Sequence, residues 1–538
     1  MFKRAIIILA LVATVALPFI LRPKQVKEGR TDDTLVIITP HNEAIRHEYT
    51  VGFREWYRAR TGRTVFIDWR VIGGTSEIAR FLESEYIASF QNHWMRRLGK
   101  PWSMEVQSAF TNHRLPPDAS AVAQEARREF LASEVSSGID IFFGGGSYDF
   151  IRQAQAGRLV KSRIRETHPE WFTDEIIPEA YAGEQYWDPQ GRWFGNVLSN
   201  YGILYNKDAL QRLGISNLPD TWRALTDPRF VGEVALADPT KSSSITKAFE
   251  NLIQQEIQAR LKELAKEEPA RPAKELEAQA VREGWVTGLQ VLQLIGANAR
   301  YFTDSSQKPP IDVSQGNSAA GVCIDFYGRY QAEAVRRRDS SGRLEFVTPR
   351  GGTVNSVDPI GILRGARNHE LAELFVEYTL SMEGQKLWNF KVGTPGGPER
   401  FALRRMPVRR DFYTRPEWRE LRSDPDEQPF EGTDQLIYQP AWTGGVFREL
   451  AFITRVMCLD THPELVRAWR TVIAAGQPPE AMAVLNDMSS VNYEQVFGRV
   501  KQALTSKNKV DEIRLANELG ASFRAQYRRA EELAKAGR

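Results

Sequence analysis

Residues 233–250 read EVALADPTKSSSITKAFE, and the change of character at Asp238 decides the fold class. Val234 to Ala237 form a continuous apolar run, the mark of a strand buried on both faces. Asp238 and Pro239 turn the chain, and a helix follows. A helix start leaves backbone N–H groups unpaired and carries partial positive charge. Serine and threonine cap such starts, and small hydroxylated residues let an anion reach the amides. Thr240, Lys241, Ser242, Ser243 and Ser244 are therefore either a well-capped helix start or a cradle for an anionic group. The wider inventory of the chain favours the cradle.

The same strand–loop–helix unit recurs along the sequence. TLVIITP (34–40) is a compact strand, and Ile45, Tyr49, Phe53 and Trp56 follow at helical spacing up to Gly62. RTVFIDWRVIGG (63–74) is a second strand, followed by a helix capped at Thr75 or Ser76. GIDIFFGGGSYDFIRQAQAGRLV (138–160) is strand, glycine loop and amphipathic helix. Strands alternating with helices predict a mostly parallel α/β architecture. Residues 86–135 interrupt the rhythm with a polar, aromatic-sprinkled insertion. Residues 251–283 read as charged helix broken near Pro269 and Pro272, a solvated elaboration. Beyond about residue 440 the chain reads as helical, and Leu515, Leu519, Phe523 and Tyr527 form a stripe expected to dock on the body.

At 538 residues the chain exceeds a single core. With 71 basic against 68 acidic residues, the charge balance does not point to nucleic acid. The two cysteines, Cys323 and Cys458, exclude a disulfide framework and a Cys-rich metal site, while one bridge between them stays open. No G-x-S-x-G elbow, H-E-x-x-H, complete Walker motif or Cys/His nucleophile pair supports an enzyme. Lys3 and Arg4 precede an apolar run at residues 5–21, which marks export. As a helix the run spans roughly 25 Å, slightly short of the ~30 Å hydrocarbon core. A cleaved signal peptide and a retained membrane anchor within residues 1–25 are both open.

The order of the pieces is more specific than any one of them. DIFFGGG, NYGILYNKD, LPDTWRALTDPRFVGEVALADPTKSSS, GVCIDFYGR and VDPIGILRGARNHELAELFVEYTLSMEGQKLW follow one another. This series resembles the extracellular solute-binding proteins of ABC importers, the group containing ferric-ion, phosphonate and sugar-phosphate binders, over roughly residues 33–400. The resemblance implies a type II two-lobed clamp with hinge crossings near 198–205 and 353–363. Lobe 1 would span 33–198 and 348–400, lobe 2 would span 199–347, and 401–538 would be a helical C-terminal extension. It also implies a periplasmic or extracytoplasmic protein that is not an enzyme, needs no cofactor, binds no nucleic acid and hands a small solute to an ABC permease in the inner membrane. The alternative is a membrane-tethered ligand sensor using the same clamp.

Ligands of open α/β sheets sit beyond the carboxyl ends of strands, so the strand-end loops supply the candidate site. In lobe 1 these are His41 and Asn42, then Gly74, Thr75 and Ser76, then Gly145, Gly146 and Ser147. The glycine run is no P-loop, but exposed amides make an anion-friendly nest. In lobe 2 they are residues 240–244 and Asp325 with Tyr327. In the ferric relatives a histidine after the first strand, a carboxylate near the glycine loop and two adjacent tyrosines hold iron. Here glycine replaces the carboxylate and Phe326 one tyrosine, leaving at most His41 and Tyr327 for a transported ferric ion. Amides, hydroxyls and Lys241 favour an anion such as a phosphonate or organic phosphate. Asp325 would add an amine partner, as a zwitterion requires. Asn200 and Asn355 are expected either to meet ligand or to satisfy turns.

Overall fold

The computed structural model describes residues 31–431, 435–506 and 508–537. The expected signal or anchor lies outside them, and no described helix is long and apolar enough to cross a membrane.

Two sheets organise the chain. The first contains β1 (Asp33–Ile38), β2 (Val65–Arg70), β3 (Ile141–Phe143), β6 (Phe194–Ser199), β12 (Ser356–Ile362) and β13 (Met406–Pro407), in the order β13–β6–β12–β3–β1–β2. β1 pairs in parallel with β2 and β3, while β12 runs antiparallel to β3 and β6. A small hairpin of β4 (Ala180–Tyr181) and β5 (Glu184–Gln185) precedes β6. The second sheet contains β7 (Tyr201–Asn206), β8 (Val234–Ala237), β9 (Ala299–Thr303), β10 (Ala320–Ile324) and β11 (Leu344–Val347), in the order β11–β7–β10–β8–β9. Every residue of β7, β8 and β10 is buried, which is why they read as unbroken apolar runs.

Only Asn200 separates β6 from β7, so the chain passes from one sheet to the other in a single residue. It returns between β11 and β12. The two passages are tied together: Asn200 Nδ2 donates to Asn355 Oδ1 at 3.3 Å, and the Tyr201 N–H donates to Thr353 Oγ1 at 3.2 Å. Asn355 in turn donates to the Pro429 carbonyl at 2.8 Å. Both asparagines therefore serve the hinge.

Several expectations are corrected here. The first lobe does not end at residue 400, because Met406 and Pro407 pair with Leu198 and Val197 of β6. A two-residue strand leaves no periodicity to read. The insertion at 86–135 packs into the main core, with Phe90, Phe110 and Phe130 at ring separations of 4.8, 4.9 and 5.4 Å. Residues 251–283 are not merely solvated: they belong to two long helices, Ser243–Glu267 and Ala273–Asn298, packed as a hairpin that buries Ile253, Ile257 and Ala280. The C-terminal helices dock on this hairpin. Leu515, Leu519, Phe523 and Tyr527 are all buried, as their spacing implied. Cys323 and Cys458 are both buried and unbonded, so the bridge left open is absent.

Candidate functional site

Three loops of the first lobe converge because of two glycines. Gly144 and Gly145 have φ of +87° and +119°, a conformation L side chains rarely adopt. A Cβ on Gly144 would stand 2.3 Å from the His41 ring, and one on Gly145 2.5 Å from the Thr75 methyl. So the β1, β2 and β3 loops close on His41 and Thr75, both buried. Asn42 caps the Glu43–Thr61 helix, its Oδ1 accepting from the Ile45 N–H at 3.1 Å. The next helix begins at Thr75, with Gly74 at its cap and the Glu77 carboxylate accepting from the Gly74 N–H at 2.9 Å. The expected cap at Thr75 or Ser76 thus lies one residue earlier. Ser147 opens the helix Ser147–Ala156, with Gly146 at its cap.

From the second lobe, the opening stretch divides its labour. Ser242 caps the Ser243–Glu267 helix, its Oγ accepting from the Ile245 N–H at 3.4 Å. The Thr240 hydroxyl is held by Asp238 at 2.7 Å. Lys241 is exposed, while Ser243 is buried with its hydroxyl unpaired. Ser244 is the second residue of that helix and is half-buried. The lobes touch at these loops: a Cβ on Gly74 would meet the Lys241 carbonyl at 2.6 Å, and one on Gly146 would lie 3.7 Å from Ser243 Oγ. Ser243 faces Asp149, whose carboxyl burial pushes up to about 6 against the pull of Arg152.

A second cluster lies deeper, at the hinge. Arg405, fully buried, is set by the short strand β13 that follows it. Its guanidinium stands 2.7 Å from Asp358 and donates to Ser199 Oγ and, at 3.4 Å, to His41 Nε2. The same Nε2 lies 3.6 Å from Asp358 Oδ2, while Nδ1 has no partner. Burial holds the His41 pKa below that of a free histidine, so it stays neutral. Burial opposes the Asp358 carboxylate, yet Arg405 and then His41 keep its pKa below the ordinary range. The Phe326 ring lies under the same guanidinium at 4.4 Å, with the Tyr327 ring 4.1 Å from it. Burial raises the Tyr327 phenol, eased by Arg405. Asp325 is fully buried with neither oxygen hydrogen-bonded. No signal in the sequence marks Arg405, which lies outside every strand-end loop.

Between the lobes run two adjoining chambers, of about 530 and 300 Å³, that share Tyr148, Arg152, Ser243 and Phe447 in their walls. Seven basic side chains line the larger one against three carboxylates. Among them Arg80, Arg152 and Lys241 carry no ion pair among the described residues. The smaller holds Lys247, whose ammonium sits 2.5 Å from Glu184 of the first lobe and 2.9 Å from Glu250 of its own helix. Burial works against this charge, but the two carboxylates outweigh it and the lysine stays protonated. Sequence reading singled out none of these cations except Lys241. Arg152 could have been found, since it lies six residues beyond Gly146 on the helix that the glycine loop opens.

Two α/β sheets joined by a double passage, with strand-end loops facing each other across a cleft, form the architecture of a two-lobed binding protein. Residues 136–423 match the family described as bacterial extracellular solute-binding protein. The chain belongs to that family. Its members bind solutes and are not enzymes. A relative in Haemophilus influenzae, an uncharacterized protein, is 29% identical over 252 residues, covering 46% of this chain and 60% of its own length. Among solved structures, the periplasmic binding protein AfuA from Actinobacillus pleuropneumoniae, bound to fructose-6-phosphate, is 19% identical with a TM-score of 0.44, over 66% of this chain and 82% of its own. Iron-bound HitA from Pseudomonas aeruginosa is 17% identical with a TM-score of 0.44, over 78% and 99%.

Proposed function

We propose that this protein captures a small anionic solute between its lobes, outside the cytoplasm, and presents it to an ABC-type permease. The observation that carries this reading is the larger chamber, with its excess of basic side chains and three cations that form no salt bridge among the described residues. At about 530 Å³ it falls within the ~300–1,000 Å³ of small-molecule sites. Guanidinium and ammonium groups on facing lobes favour a closed, anion-loaded clamp over an open one, and that difference drives closure. Ser76, Thr240 and Ser243 supply neutral donors in the same walls, and Gly146 and Ser147 line the adjoining chamber.

A ferric solute fits the deeper cluster poorly. His41 and Tyr327 are both near Arg405, and a fixed positive charge 3.4 Å from the imidazole nitrogen opposes a trivalent cation there.

The test is thermal melting of the purified protein with inorganic phosphate, fructose-6-phosphate and ferric citrate. A ligand at a hundred times its Kd adds ~2.7 kcal/mol of stability. Upward shifts with the phosphates, lost in Arg152→Gln and Lys241→Gln, are the expected result. A shift with ferric citrate alone, abolished by Tyr327→Phe and untouched by Arg152→Gln, would overturn the anion reading in favour of iron.

A further inference from the structure

One side of the larger chamber belongs to neither lobe. Phe447, Arg448 and Arg455, from the C-terminal helices, line it together with Lys509 and Glu512. The Phe447 ring lies 4.5 Å from that of Tyr148, so the extension meets the first lobe where the two chambers adjoin. Arg455 opens a π-helical turn, Arg455–Leu459, a distortion that recurs in helices at functional sites. Opposite this wall, Ser243 Oγ and the Asp149 carboxyl, both buried, face each other in the chamber lining.

The charges are spread over three walls. Arg80 and Arg152 come from the first lobe, Lys241 from the second, and Arg448 and Arg455 from the extension. Glu512 neutralises part of the extension's share, pairing with Arg448 at 2.8 Å, and Arg455 meets Asp460 at 3.3 Å. A chamber of about 530 Å³ far exceeds the ~30 Å³ one water occupies in the liquid. A single tetrahedral anion on one wall would leave the cations of another facing unfilled space.

We propose that the C-terminal extension is the third wall of the solute cavity and makes it selective for a solute carrying two or more anionic groups. One group is held by Arg80, Arg152 and Lys241, another by Arg448 and Arg455. This rests on the anion-binding function above and narrows its substrate class.

Calorimetric titration of the whole protein with inorganic phosphate and with inorganic pyrophosphate tests it. Each charge-assisted contact to a second anionic group should tighten binding about tenfold. The unaltered protein should therefore prefer pyrophosphate by at least that factor, and Arg448→Gln with Arg455→Gln should collapse the ratio towards one. Arg455→Gln alone, at a side chain 48% exposed, spares the Arg448 packing and should lower the ratio part-way. Equal affinities in the unaltered protein, or a ratio that neither variant moves, overturns the inference while phosphate binding preserves the proposed function. Binding of neither anion overturns both.

Discussion

Asp325 stands at the start of the Asp325–Asp339 helix, fully buried, with Arg329 the nearest cation at 3.9 Å. That arginine turns instead to Glu427 at 2.8 Å. Burial pushes the Asp325 pKa from 3.8 to about 7, with Arg329 and then Arg405 pulling the other way. The folded chain therefore holds a proton that the unfolded chain has lost. Stability from this group is complete below the unfolded value of 3.8 and disappears as pH rises through about 7. The effect is on the order of 4 kcal/mol. Asp325→Asn should flatten the melting temperature between pH 5 and pH 8, where the unaltered protein declines. Parallel curves for the two proteins would mean that Asp325 ionises normally. Spacing placed Asp325 beside the cleft, but only burial without a partner makes it a proton-holding group.

At the scale of elements, the helical hairpin of Ser243–Glu267 and Ala273–Asn298 shows what charge pattern conceals. Arg260 pairs with Glu263, Glu267 and Glu283, so the outer face is as polar as the sequence suggests. The inner face depends on two glycines four residues apart. A Cβ on Gly284 would lie 2.4 Å from Ile257 Cα, and one on Gly288 2.9 Å from Ile253 Cα. Backbone cannot yield as a flexible side chain can, so the helices must separate. Overpacking of this kind costs about 1–3 kcal/mol, enough to outweigh the ~1 kcal/mol that alanine gains over glycine in a helix. Gly284→Ala should thus lower the denaturant midpoint, and an unchanged or raised midpoint would show that the hairpin is looser than described. Because the C-terminal helices dock on this hairpin, the wall at Phe447 depends on it too.

Across the whole molecule, Lys247 joins three parts that are far apart in sequence. It binds Glu184 from the first lobe and Glu250 from the second, and its ammonium lies 3.4 Å from the centre of the Tyr438 ring, in the segment leading to the extension. Glu184 and Glu250 have side chains only 3% and 0% exposed, so losing the lysine leaves two buried carboxylates without their countercharge. Breaking a buried pair this way costs about 3–5 kcal/mol. Opening the lobes lets water reach the carboxylates, and Lys247→Met should therefore enlarge the radius of gyration in small-angle scattering without ligand. An unchanged radius with a lowered melting temperature would mean that the lobes are held closed by other contacts.

The sequence by itself determined the α/β class, the order of strand-end loops and the apolar stripe of the last helix. Each of these is written in local periodicity or in a contiguous motif, and a buried strand or an amphipathic face needs no distant partner to be recognised. Tertiary structure alone decided where the first lobe ends, that Ser242 caps its helix, that Arg405 sits in the hinge, and that Arg152, Lys247 and the extension enclose the cleft. Those assignments depend on which distant side chains meet. Arg405 and Asp358 are 2.7 Å apart though 47 positions apart in the chain, and no spacing rule links them. A lone arginine in a sequence carries no mark of whether it will face water, a carboxylate or a solute, because its charge is satisfied only by what the fold brings beside it.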